Sequence, residues 1–400
     1  LYRGLFLIFI LMSTIAACDN LYQARKYHTS KHPRPPEAQL IAAGHLEKLV
    51  ERTQIEVSQR PMGLALSPDD RKLFVACALR GYIDVIDTEL LSLETRLGPF
   101  SDPIYQVLVS SDGRLLFAHG LNGKNVFVIE TDTGRTVAEV PVAKNITNVI
   151  GIPGTNRVLV GMAEIPTAQI LSGATGEIEG EIQFPEPVGY MAVAPGGQLA
   201  AASSGLFAFT NQGSEGRGNR VYVFNPQSSG IASTLVTLDP GVFVRKPLFV
   251  QGDKVLLVPD QRLNSVDAYE IETSRHLKRI EVGITPERLV MIPGGRTALV
   301  FGASEEVAVI DCSKVLRSGW VRLPGQPSDA VVSADGHFFY AALSDQSPGV
   351  KNRVAVVDLA DFSVRDLIPT GKDPCMMVIS RDGRSVYVAN FLDNTVSVIK

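Results

Sequence analysis

A repeat of about 42 residues, running from near residue 53 to Lys400, limits the fold of this chain more than any other feature. Each unit holds an apolar strand, a tight turn, a second apolar strand, a loop and an alternating third strand. The residue before the turn's Asp or Gly serves as a marker: Pro68, Ser111, Pro153, Pro195, Gln251, Pro293, Ala334 and Arg381. The markers are separated by 43, 42, 42, 56, 42, 41 and 47 residues. Two steps are long because Gly-rich and polar residues are inserted between second and third strands, at 205–220 and 344–352. Four-stranded units at this period, with turns at fixed offsets, predict an all-β fold, a β-propeller. A single small sheet cannot cover both its faces, but a ring of them packs face to face and leaves no long open edge. Eight markers predict eight blades, with seven as the alternative if one weaker unit is displaced. The last unit ends after its third strand, and residues 53–57 form an unpartnered strand ahead of the first marker. These N- and C-terminal strands are expected to pair and close the ring.

The repeat also has a recognisable wording. Val386-Tyr387-Val388-Ala389-Asn390, followed by Asn394-Thr395-Val396-Ser397-Val398-Ile399, resembles the YVTN family of β-propeller repeats. Leu73-Phe74-Val75-Ala76-Cys77, Ile83-Asp84-Val85-Ile86-Asp87, Pro374 and Ser380-Arg381-Asp382-Gly383 are similar. The likeness covers roughly residues 53–400, strongly at both ends and more loosely after Pro153, Pro195 and Gln251. It implies a fold and not an activity. Propellers of this kind include binding proteins, surface-layer proteins and relatives of cytochrome d1 and lactonase domains.

Residues 1–17 read as a secretory signal, with Arg3 ahead of an apolar run at 4–12 and small residues beyond it. The run is too short to span a bilayer as a helix, which needs about 20 residues. It ends Ile15-Ala16-Ala17-Cys18, which resembles the lipobox of bacterial lipoproteins. That resemblance implies cleavage before Cys18 and a lipid on its sulfur; two or three acyl chains make a stable anchor. The alternative is an ordinary cleaved signal. Asp19 resembles an inner-membrane retention signal of some enteric bacteria. Residues 18–52 are largely polar, with Arg25, Lys26, Lys31, Arg34, His28, His32 and a Pro-rich stretch at 32–36. They read as a tether, leaving 53–400 as the propeller domain. The expected location is the bacterial cell envelope, with the propeller outside the cytoplasm.

Strand direction divides the expected propeller into two rims. The Ser-x-Asp-Gly turns gather at one end and are tight. The other end gathers both insertions, the second-to-third-strand loops and the starts of the innermost strands. Binding residues concentrate on loops held by rigid strands, so this second rim is the candidate face. It places Met62, Arg288, Asp329, Cys375 and Met376 near the channel mouth, with Cys77, His119 and Met162 further out. Met62, His119, Arg288, Asp329, Cys375 and Met376 are the candidate ligand or partner contacts. The Cys/Met/His group has three readings: a soft Cu(I) site, a Cys77–Cys375 disulfide, or small apolar fillers. Arg288 and Asp329 either meet a polar ligand or pair with each other.

Composition narrows the function further. A net charge of −4, from 38 Lys and Arg against 42 Asp and Glu, argues against a nucleic-acid coat. The six histidines are scattered without zinc spacing. No Gly-x-Ser-x-Gly, Cys-x-x-Cys-His or phosphate-cradling loop occurs, so no catalytic residue or cofactor is assigned. The expectation is a membrane-anchored binding or scaffold module for a protein or small ligand on the insertion face. A d1-like tetrapyrrole- or cofactor-handling oxidoreductase is the alternative, and a lactonase-like hydrolase comes third.

Overall fold

The computed structural model describes residues 51–120, 123–142, 146–162, 165–204, 220–237, 244–345 and 349–400. Cys18, the tether as far as residue 50, residues 205–219 and residues 346–348 lie outside the described residues. No helix occurs among the described residues, and the strands assemble into eight sheets. The ring of eight blades is therefore the observed architecture. Its innermost strands are Pro61–Leu66, Gln106–Val109, Ile146–Ile152, Val188–Val193, Leu248–Val250, Pro286–Met291, Pro327–Val332 and Pro374–Ile379. Each touches the next around the circle, and the last touches the first. Every blade is an antiparallel meander of four strands. Blade 3 carries an extra edge strand, Gly230–Ile231, which pairs in parallel with Ile178–Gln183 and is supplied by the segment leading to blade 4's outer strand. Periodicity does not show this addition, because two residues are too few to carry a pattern.

The ring closes as expected. Glu51–Glu56 runs antiparallel to Thr395–Ile399 and completes the blade built from the C-terminal strands. This strand starts at Glu51, slightly ahead of residue 53. Val57 N–H donates to Asn394 O at 2.9 Å, and Arg60 N–H donates to the Asn394 side-chain oxygen at 2.9 Å.

Hydrophobic burial follows the same logic. The apolar side chains sort into eight clusters, and each lies between two neighbouring blades. The middle strands carry this core: Leu73, Phe74, Val75 and Ala76 are fully buried, alternate side chains serving the interfaces on opposite faces. Removing one blade would expose two such faces.

The turn rim is held by a repeated local network. In blade 8, Ser380 Oγ donates to Asp382 Oδ1 at 2.6 Å and accepts from Ser385 N–H at 3.0 Å. Arg384 N–H donates to the same Asp382 oxygen at 3.0 Å, and Gly383 takes φ 73°, which suits glycine. Blades 1, 2 and 7 repeat it with Ser67/Asp69, Ser110/Asp112 and Ser333/Asp335. The serine hydroxyl, and then backbone N–H groups, hold Asp69, Asp335 and Asp382 below the usual carboxylate range. Blades 3 to 6 have Ile152, Ala194, Gln251 and Ile292 where this serine would stand, so their turns depart from the pattern.

Closure by the first strand predicts a large cost for truncating its buried side chain. Ile55 is buried against Val396, Val398 and Tyr387, so Ile55→Ala should lower the unfolding free energy by about 2–4 kcal/mol in urea melts. The neighbouring exposed Gln54→Ala should move it by less than about 0.5 kcal/mol. Equal midpoints for the two variants would contradict closure by this strand.

Candidate functional site

All eight innermost strands run the same way, so their first residues share one rim. The loops leaving the second strands and the links between blades lie on that rim as well. Irregular pairing gives it its chemistry. The register slips by one residue at the start of six innermost strands: Pro61/Gly63, Ile146/Asn148, Val188/Tyr190, Pro286/Arg288, Pro327/Asp329 and Pro374/Met376. Blade 5 shows a similar slip just outside its named strand, where the Val244–Asp260 bridge is one residue out of step with Leu248–Leu257. Bulges bend a strand and re-aim its side chains. Repeated around a ring, they surround the channel mouth with side chains of unlike character.

Ties between blades hold this mouth. Arg288 of blade 6 donates from a terminal guanidinium nitrogen to Asp329 Oδ1 of blade 7, and Met377 N–H of blade 8 donates to Asp329 Oδ2 at 2.8 Å. The Asp329 side chain is 6% exposed and that of Arg288 45%, so the pair has a buried end and an open end. Burial raises the Asp329 pKa, while Arg288 and the Met377 N–H pull it back down. Asn148 of blade 3 donates to Gly189 O of blade 4 at 2.7 Å. Arg245, leading into blade 5, donates to the Tyr190 hydroxyl of blade 4, and its guanidinium carbon lies 5.3 Å from that ring's centroid.

The residues singled out from sequence fall into two groups. Met62, Arg288, Asp329, Cys375 and Met376 all stand at the bulges of blades 1, 6, 7 and 8. His119 lies behind the mouth and is 2% exposed. Its Nδ1 lies 3.1 Å from Gly120 O, and its Nε2 lies 3.0 Å from the side-chain amide of Gln106. Burial depresses its pKa to about 4, which keeps the ring neutral. Cys77, Cys312 and Cys375 are free thiols. Cys375 Sγ points to Pro61 O at 3.4 Å and Ala389 O at 3.6 Å, and Cys77 Sγ to Val75 O at 3.6 Å. Burial raises the thiol pKa of Cys77 and Cys375, and that of Cys312 to about 11. Both mouth-side cysteines pack in or against the apolar cluster joining blades 8 and 1. Among the described residues, no three His, Cys, Asp or Glu side chains gather as metal ligands.

Sequence reasoning missed Asn148, Tyr190, Arg245 and Lys246. The first two carried a usable signal. Asn148, Tyr190, Arg288, Asp329 and Met376 each stand five residues before their turn marker, one equivalent position around the ring. Blade 5 has a shorter turn and a different offset, which conceals Arg245 and Lys246. Lys246 has open surface, yet the surrounding protein and the nearby Arg288 charge lower its pKa.

Other ion pairs stand behind the mouth. Asp84 binds Arg96 at 2.7 Å, and Asp267 binds Arg279 at 3.1 Å and His276 at 2.8 Å, each joining the third and fourth strands of one blade. They brace the outer halves of blades 1 and 5.

No protein-family model matches the chain, and no curated protein matches it in sequence. Solved structures do. Kuenenia stuttgartiensis hydrazine synthase is similar at a TM-score of 0.56 and 15% identity, over 89% of this chain and 99% of that one. The dihydro-heme d1 dehydrogenase NirN, solved in complex with DHE, is similar at a TM-score of 0.63 and 15% identity, over 78% of this chain and 67% of that one. At that identity the likeness shows a shared fold.

The buried imidazole makes stability depend on pH. His119 has a folded pKa near 4, below its ordinary 6.5, so its contribution is present above pH 6.5 and is lost as pH falls towards 4. Urea melts should show the wild type losing up to about 3 kcal/mol more than His119→Gln across that window. Parallel pH profiles for the two proteins would refute a neutral buried His119.

Proposed function

We propose that this chain is a lipid-anchored protein of the bacterial cell envelope whose propeller binds a small ligand or a protein partner at the channel mouth. The observation that carries the binding reading is the contrast between the two rims. On the turn rim of blades 1, 2, 7 and 8, serine, aspartate and backbone groups satisfy one another locally. On the mouth rim, bulges gather Asn148, Tyr190, Arg288, Asp329 and Met376 from five blades, and the strand ends that flank both insertions lie on the same rim. A ring that collects unlike side chains on one rim supports recognition there. The anchor rests on Ile15-Ala16-Ala17-Cys18 and the polar tether behind it.

A second reading, cofactor handling by a d1-like protein, is favoured by the similarity to NirN, which was solved in complex with DHE. Fold likeness alone does not transfer an activity. A visible absorption band in the full chain purified from its own envelope would favour cofactor handling. A colourless chain that retains no added tetrapyrrole would exclude it.

Fractionation of a bacterial host tests the anchor. Wild-type chain should sediment with membranes, and Cys18→Ser should shift most of it to the soluble fraction, because the acyl chains supply the attachment. Equal membrane association of both proteins would overturn the lipid anchor.

A further inference from the structure

We propose that a cavity of about 340 Å³ between blades 4 and 5 binds a small ligand with an apolar body and an amine end. The cavity lies at the turn rim, away from the channel mouth, so the inference is independent of the mouth reading.

The cavity exists because one position is not filled as it is elsewhere in the ring. The residue four places beyond the third strand is Leu91 in blade 1, Ser274 in blade 5, Val315 in blade 6 and Phe362 in blade 7. All four take φ between 52° and 58°, so they occupy one equivalent turn position. Leu91, Val315 and Phe362 each pack against the apolar cluster shared with the preceding blade. Bulky and β-branched side chains are disfavoured at such φ, so the packing outweighs the strain. Blades 2 and 3 have Gly134 and Gly176 there instead. An added Cβ on them would lie 2.5 Å from Leu97 and 2.9 Å from Val128, side chains of the preceding blade that already close the gap. In blade 5, Ser274 supplies no apolar plug. Opposite it, the outer strand of blade 4 begins only at Ser233, because the chain leading to it first pairs with blade 3.

The resulting space is apolar on both sides, with Leu199, Val223 and Leu235 of blade 4 facing Ile271 of blade 5. Ser233, Glu272 and Ser274 are exposed and form its lip. Glu272 is the one charged residue of the lining, so the site offers a counter-charge to an ammonium and none to an anion. The plugs of blades 1, 6 and 7 show what suits the apolar part, a branched aliphatic or phenyl group. The volume lies well above the roughly 150 Å³ that admits benzene and within the range of small-molecule pockets.

The test is ligand-observed NMR titration of the full chain with 2-phenylethylamine, 2-phenylethanol and phenylacetate, which share a ring and differ in charge. The wild type should bind the amine most tightly and the acetate least. Ser274→Leu, which installs the plug of blade 1, should weaken amine binding about tenfold or more. It should melt no lower than the wild type without probe, which verifies folding independently of binding. Ser233→Leu obstructs the same space from blade 4 and should weaken the amine likewise. Glu272→Gln should weaken the amine about threefold and leave 2-phenylethanol unchanged, because an exposed ion pair is weak. Glu89→Gln, at the corresponding turn position of blade 1, should leave all affinities as they are. Absence of saturable binding of every probe at about 10 mM would overturn the proposal. So would undiminished amine binding by folded Ser274→Leu or Ser233→Leu, or phenylacetate binding as tightly as the amine.

Discussion

The rest of the structure depends on the inability of a four-stranded blade to bury its own two faces. Each hydrophobic cluster is shared between neighbours, so a blade is stable only within a ring, and the ring only when its last gap is filled. Pairing of Glu51–Glu56 with Thr395–Ile399 fills that gap and joins chain segments far apart in sequence. Closure also fixes the direction of all eight innermost strands. One rim therefore receives every strand start, and any deviation repeated there becomes a feature of the whole channel mouth.

That deviation is the bulge. A regular strand would alternate its side chains between the two interfaces and leave little facing the channel. The slip at the start of the innermost strands provides a position released from the core, which tolerates polar and charged residues. Arg288, Asp329 and the Met377 N–H use it to connect three blades, while Arg245 and Tyr190 connect two. These ties trade a buried carboxylate for orientation. Asp329 bears the desolvation cost, and Arg288 keeps a defined direction with half its side chain open.

Much of the fold was legible because propeller blades repeat. The turn markers placed every first-to-second-strand turn, the unpartnered strand near residue 53 foretold the closure, and Ser380-Arg381-Asp382-Gly383 announced its own hydrogen-bond network. Blades 3 to 6 were harder to read because their turns lack the serine. Arg288 and Asp329 were found because both charges stand just after a proline at the start of an innermost strand. Tyr190 and Asn148 were passed over although they occupy the same position, since neither residue type stands out in a strand. Lys246 could not be found by offset, because its blade shortens the turn on which the offset depends. The buried state of His119 was equally hidden: a histidine ending a strand reads the same whether its ring meets solvent or Gln106.

The central claim, that recognition occurs at the mouth rim, is tested most directly by hydrogen exchange. The full chain isolated from its native envelope with its bound material should be compared with the same chain after stripping. Protection is expected in segments 57–63, 244–248, 284–289 and 371–377, which border the mouth, with the turns at 67–71, 333–337 and 380–385 unchanged. Protection confined to those turns, or spread evenly over both rims, would contradict it.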